Sequence, residues 1–356
     1  MGLVLSSRQK YWLVGLLWLS DLLSASTIFV GAFLPCSISN RLVQNPYFRR
    51  LSIAKMKTRK ALFPNFLING IRTLLKFGKL KPINKFRLGH FYSPIVSKVD
   101  LDTYEEDLWP GTPPEKILGI NLRAEEQNDL LTELSKYYGD LPFTEEKSDK
   151  NRYCYNNGTY SYTDGIVLYS IIRHFKPTRI IEIGSGYSSA VMLDTREKFV
   201  PEIKLTFIEP YPQLLYSLFK ENDKKNCTVF DSGVQSVALK EFQKLQANDI
   251  LFIDSSHVSK TGSDVNYELF EILPNLASGV IIHIHDMFFP FEYPKDWVYE
   301  GRNWNEIYLL RAFLSYNQDF EIVLFSHYMH TKHKSAFEKM PLTYKNPGGN
   351  LWLRKK

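Results

Sequence analysis

From residue 164 onward, apolar and polar positions alternate between two rhythms. Residues 164–175 place apolar side chains at helical spacing and stop short of Pro177. Residues 179–183, RIIEI, are a short apolar run of the kind shown by a strand buried on both faces. Helical spacing returns over 188–197. The cycle then repeats: IKLTFIEP with a helix over 212–222, CTVFDSG with a helix over 234–245, DILFIDSSH with a helix over 262–273, and GVIIHIHD with a helix over 304–316. FEIVLFSH and NLWLRK close the series as strands six and seven. Such alternation predicts an α/β fold: a mostly parallel sheet with helices on both faces.

The N-terminal pattern is different. Residues 11–34 are mostly apolar and carry a single charge, Asp21. A helix of that length reaches across a bilayer, although a mid-membrane carboxylate is costly. Seven basic residues follow between Arg41 and Lys60, and the positive-inside rule places them and the rest of the chain on the cytoplasmic side. The opening MGLVLS also fits a myristoylation pattern at Gly2. Within residues 62–80, apolar side chains at helical spacing are interleaved with Arg72, Lys76 and Lys79, which predicts a basic amphipathic helix, either at an anionic membrane surface or packed on the main domain. Three regions result: an apolar and basic segment over 1–60, read as a membrane anchor or as sequence upstream of a true start at Met56; a basic helix and substrate-side cap over 61–150; and the alternating domain over 151–356.

Charge sharpens this division. Residues 22–99 hold 14 Lys or Arg and no Asp or Glu, whereas residues 100–356 hold 28 basic and 37 acidic side chains. No nucleic-acid-binding motif accompanies the basic third, so a nucleic-acid partner is not expected. The three cysteines, Cys36, Cys154 and Cys227, have neither metal-ligand spacing nor the numbers for a disulfide framework.

Ligands of parallel sheets sit at the carboxyl ends of the strands. Strand one delivers Glu182-Ile-Gly184-Ser185-Gly186-Tyr-Ser188-Ser189, a turn whose glycines allow close backbone approach and whose helix start offers free N–H donors. Ser189 stands where a dinucleotide fingerprint has its third glycine, and no Walker lysine follows. Strand two ends at Glu209, a carboxylate suited to both hydroxyls of a ribose. Strands three, four and five end at Asp231, at Asp254 with His257, and at His285 with Asp286. Asp254 and Asp286 close neighbouring strands, so they and the two histidines are the candidate catalytic groups, as general base or as metal ligands. His283, deeper in its strand, reads as structural, and His90, His327, His330 and His333 as ordinary residues. The stretch DMFFPFEYPKDWVYEGRNWNE reads as a lid, with Trp297, Tyr299 or Trp304 available to stack on a sugar or aromatic ring.

On EIGSGYSSAV, FIEP, FDSG, ILFIDSSH and LPNLASGVIIHIHD, residues 153–356 resemble the class I S-adenosylmethionine-dependent methyltransferases, and in particular a bacterial subgroup associated with polysaccharide-building genes. The resemblance implies a Rossmann-like, seven-stranded sheet whose last strand is antiparallel. It implies S-adenosylmethionine bound by Glu182, Gly184, Ser185, Gly186 and Ser188 at its amino-acid end, by Glu209 at its ribose and by Asp231 at its adenine. It further implies O-methylation of a saccharide or other small hydroxylated metabolite. In catechol-type relatives the strand-end acids hold Mg2+ or another divalent cation, here Asp254, His257 and Asp286; Met287 stands where those relatives carry an amide. Two other readings remain at this stage: a nicotinamide-dependent oxidoreductase, and a membrane-associated module without turnover.

Overall fold

The computed structural model describes residues 85–356. The seven apolar runs form β1 (Arg179–Ile183), β2 (Lys204–Ile208), β3 (Cys227–Phe230), β4 (Ile250–Ile253), β5 (Ile281–His285), β6 (Phe320–Phe325) and β7 (Asn350–Lys355). They pair into one sheet in the order β3-β2-β1-β4-β5-β7-β6. Pairings among β1 to β5 are parallel, and β7 runs antiparallel to both β5 and β6. Every residue of β4 and β5 is buried, which is why β4 reads as a continuous apolar run and why β5 is apolar except at His283 and His285. Burying each Ile or Leu there contributes about 2 kcal/mol. After β1 the chain builds outward through β2 and β3 and then returns to β4 on the other side of β1. That reversal opens a crevice at the carboxyl ends of β1 and β4.

The helix Tyr162–Phe175 ends on Lys176 in the left-handed region (φ 49°), just ahead of Pro177. The helix Tyr187–Phe199 starts from the glycine turn. The helix expected over 212–222 is shorter, Gln213–Leu218, because Phe219 is extended, and two further expected helices are not continuous. Over 234–245 there is only a 3₁₀ turn (Val234–Ser236) and the short helix Leu239–Phe242, because Val237 and Ala238 are extended between them. Val234, Val237, Phe242 and Leu245 still reach the core, so a helix-like spacing is met by two turns. Over 262–273 the helix Asp264–Tyr267 widens into a π-helical turn, Glu268–Ile272, before a 3₁₀ turn.

Upstream, the helix Ala124–Leu134 packs on β6, with the Gln127 side-chain oxygen accepting from the Phe325 N–H at 2.7 Å. Arg152 pins the entry to the alternating region. Its guanidinium reaches Asp194 at 2.7 Å, Asp223 at 2.7 Å and Glu197 at 2.6 Å, and Asp194 also accepts the N–H groups of Arg152 and Tyr153. The apolar run over 11–34, the myristoylation pattern, the basic block and the helix expected over 62–80 lie outside the described residues. Among the described residues, no helix is long and apolar enough to cross a membrane.

Candidate functional site

The turn after β1 is shaped by Gly184. Its φ is +80°, and a Cβ there would lie 1.8 Å from the backbone oxygen of Asp254. No other residue fits, so the turn lies flat against the end of β4. A cavity of about 520 Å³ opens above it. Gly184, Ser185, Gly186 and Ser188 line its floor, and Glu209 enters from the end of β2. Asp254, His285 and Asp286 enter from β4 and β5. Trp297, Arg302 and Trp304 face it from the long connection after β5.

Glu209 is braced by the chain itself: its two oxygens accept the N–H groups of Ser185 (3.0 Å) and Tyr211 (2.7 Å), one each. A carboxylate has about four acceptor positions, so lone pairs remain for two hydroxyls. Glu182 departs from the expectation that it touches the ligand. It is wholly buried beneath the turn, where Ser188 donates to one oxygen at 2.6 Å and Ser189 donates to the other. Burial, only partly offset by the two serines, pushes its pKa up to about 8. Asp231 also departs. It is exposed at the end of β3, accepts the Tyr216 hydroxyl at 2.7 Å, and does not line the cavity.

The Glu182 shift has a testable consequence. In the unfolded chain the carboxyl ionises near 4.5, whereas in the fold it keeps its proton to about 8. The native state therefore binds more protons across that window, and its stability falls as pH rises through it. Glu182→Gln has no proton to lose. Between pH 5 and pH 7 the variant should gain about 2 kcal/mol relative to the parent in denaturant titrations; a difference independent of pH would contradict the assignment.

The reactive edge centres on His257. Its Nε2 is 3.3 Å from Asp254 Oδ1 and 3.6 Å from Asp286 Oδ2, while Nδ1 is 2.9 Å from Glu306 Oε2. Burial alone would push the imidazole pKa down, but the bonds to Asp254 and Glu306 hold it well above the usual value. Burial would likewise raise Asp254, yet His285 and His257 pull it below the ordinary carboxylate value. For Asp286 burial prevails and its pKa is raised. His257 and Asp286 both have left-handed backbones, φ +58° and +56°. The His257 carbonyl accepts the N–H groups of Asn305 (3.0 Å) and Glu306 (3.1 Å), which fixes the lid and the carboxylate of Glu306 against the imidazole. One donor atom each from Asp254, His257 and Asp286 lies within 4.8 Å of the others. Two hard carboxylates and one imidazole suit a divalent cation, and Glu306 on the far nitrogen is the outer partner that such ligands need.

His285 is buried beside this group, with Nε2 3.7 Å from Asp286 Oδ1 and Nδ1 without a hydrogen-bond partner. His283 shares its face, stacked on Phe252 at 3.9 Å; burial drives its pKa well down, so it is a neutral core residue. Of the three lid aromatics, Trp297 and Trp304 reach the cavity. Tyr299 does not: its hydroxyl donates to Asp102 (3.0 Å) and Glu105 (2.9 Å) of the upstream segment. The sequence pattern gave no weight to Glu306, buried behind His257, or to Arg302 and residues 158–160, which also line the cavity. The one signal for the last group was Gly158 in a turn-rich stretch.

A family model described as a methyltransferase domain matches residues 181–287. An uncharacterized protein of Archaeoglobus fulgidus is 35% identical over 189 residues, spanning 49% of this chain and 82% of the relative. Among solved structures, the Podospora anserina methyltransferase PaMTH1 bound to S-adenosylhomocysteine aligns with 78% of this chain and 100% of its own, at 16% identity and a TM-score of 0.37. The O-methyltransferase of Bacillus cereus, also bound to S-adenosylhomocysteine, aligns with 72% of this chain and 97% of its own, at 12% identity and a TM-score of 0.37.

Proposed function

We propose that the chain, whose residues 181–287 match a methyltransferase-domain family, is a class I S-adenosylmethionine-dependent methyltransferase that methylates a hydroxyl of a saccharide or other small hydroxylated metabolite, assisted by a divalent cation at Asp254, His257 and Asp286. The observation that carries this reading is the convergence on one cavity of the glycine turn, Glu209, Asp254 and Asp286.

S-adenosylmethionine supplies a methyl group on a sulfonium, whose leaving group is a neutral thioether. The chain's work is to position the acceptor and relieve it of a proton. The N–H donors of the turn and of the helix Tyr187–Phe199 suit the cofactor's carboxylate. The open lone pairs of Glu209 suit the ribose. A divalent cation supplies Lewis acidity that makes a hydroxyl acidic near neutral pH. Glu306, by accepting the Nδ1–H of His257, orients the imidazole so that a cation replacing the Nε2 proton would find that lone pair facing Asp254 and Asp286. His285, in the cavity wall with Nε2 next to Asp286, takes the acceptor's proton from its neutral form, which the positive charge of a cation held by the neighbouring carboxylates would favour. Trp297 and Trp304 offer flat apolar faces to a ring.

The test is a label-transfer assay with methyl-labelled S-adenosylmethionine and a panel of hydroxylated acceptors, before and after chelation. Transfer to oxygen that stops on chelation and returns with Mg2+ or Mn2+ supports the reading. An unchanged rate after chelation removes the cation from it, and transfer confined to amines or thiols overturns it. Glu306→Gln should raise the metal concentration for half-maximal rate about 10- to 100-fold; an unaltered requirement would exclude Glu306 as the outer partner.

A further inference from the structure

The cavity is acidic, with Glu209, Asp254 and Asp286 in its wall, and among the described residues Arg302 is the one Lys or Arg side chain that lines it. Its guanidinium lies 4.2 Å from the Trp297 ring centre and 5.5 Å from that of Trp304. The two indoles stand nearly perpendicular, 5.5 Å apart, and make a corner. Phe288 braces Trp297 from behind, and Tyr293 braces Trp304. Trp304 also touches His257, at 4.5 Å between ring centres. The Arg302 N–H donates to the Trp297 carbonyl at 3.1 Å, so the turn carrying the side chain is fixed as well.

We propose that Arg302 anchors an oxyanion on the acceptor, which makes the substrate a saccharide or hydroxylated metabolite bearing a carboxylate or phosphate. The inference rests on the methyl-transfer reading of the site and narrows its substrate class. Stacking on aromatic faces fixes the plane of a guanidinium and leaves its N–H edge pointing outward, the geometry in which arginine grips carboxylate or phosphate with two parallel bonds. The present carboxylate partner, Glu300, is 3.2 Å away with its side chain 59% exposed, so that pair is solvent-screened and readily displaced. Its contacts use Nε and Nη2. In a wall of carboxylates, an anionic acceptor without this cation would be repelled. The cofactor's own carboxylate is served by the glycine turn on the β1 side, whereas Arg302 comes from the lid that rests on His257.

The test is calorimetric titration of the full chain, loaded with S-adenosylhomocysteine and Mg2+, with acceptors that differ in charge on one scaffold. The pairs are methyl glucoside against methyl glucuronide, glucose against glucose 6-phosphate, and catechol against 3,4-dihydroxybenzoate. An anionic member is expected to bind at least tenfold more tightly than its neutral twin; the glucuronide and phosphate arms tell the two oxyanions apart. Arg302→Gln should bring the twins within about twofold of each other, and Arg302→Lys should keep part of the preference. Equal binding of all twins by the parent, or a preference that survives Arg302→Gln, overturns the proposal. A preference confined to the dihydroxybenzoate pair upholds Arg302 and overturns the saccharide part of the function. Weakened S-adenosylhomocysteine binding by Arg302→Gln, with the twin preference intact, reassigns the arginine to the cofactor and also overturns the proposal.

Discussion

Asparagine in place of Asp254 is expected to slow methyl transfer about 10³-fold while leaving the fold intact. The substitution keeps the shape of the side chain and removes its charge. Asp254 faces His257 Nε2 at 3.3 Å and is held ionised by His285 and His257. If the cluster holds a cation, the amide deletes an anionic ligand. If it works by proton transfer alone, the amide deletes the partner that orients the imidazole. Both routes lower turnover, so the effect does not hinge on the cation. S-adenosylhomocysteine affinity, measured alongside, should change little because Glu209 and the glycine turn are untouched. Turnover within tenfold of the parent would place the chemistry elsewhere.

Arg152→Ala is expected to cost about 3–5 kcal/mol of folding stability, the usual consequence of leaving buried carboxylates without their cation. The Arg152 side chain is 4% exposed, and those of Asp194 and Asp223 are 0% and 5% exposed. Removing the guanidinium leaves Asp194 with backbone donors only, and Asp223 with the Lys220 N–H at 2.7 Å and Arg196 at 3.3 Å. Arg152→Lys should fall in between, because a single ammonium cannot fork to three carboxylates. Denaturant titration reads both variants; a loss below about 1 kcal/mol for the alanine would show that the network carries little of the stability.

The sheet was legible in the sequence because strands buried on both faces are apolar at most positions, and at every position in ILFI of β4. The strand-end acids were legible because a parallel sheet brings its carboxyl ends to one edge. Continuous helices over 234–245 and 262–273 were not, since apolar spacing tells which residues reach the core and not whether one helix carries them. Glu182 was misplaced for a related reason. Its neighbours Ser188 and Ser189 look like ligand-side polar residues, yet they spend their hydroxyls on its buried carboxyl. Glu306 and Arg302 were illegible because tertiary contacts set their positions: Asn305 exchanges hydrogen bonds with Ser259, and the His257 carbonyl caps the start of the helix Glu306–Leu314. Tyr299 lies two residues after Trp297 on the lid helix Lys295–Tyr299 and so takes the opposite side, the one that meets the upstream segment.

The central claim is that the crevice beside β1 holds an adenosyl sulfonium with Glu209 on its ribose. Calorimetric titration of the parent and of Glu209→Ala with S-adenosylhomocysteine, and of the parent with NAD, tests it most directly. The account predicts one-to-one binding of S-adenosylhomocysteine, no comparable binding of NAD, and at least a tenfold loss of affinity in Glu209→Ala from two charge-assisted hydrogen bonds. A folded parent that ignores S-adenosylhomocysteine, or that takes NAD equally well, would contradict it.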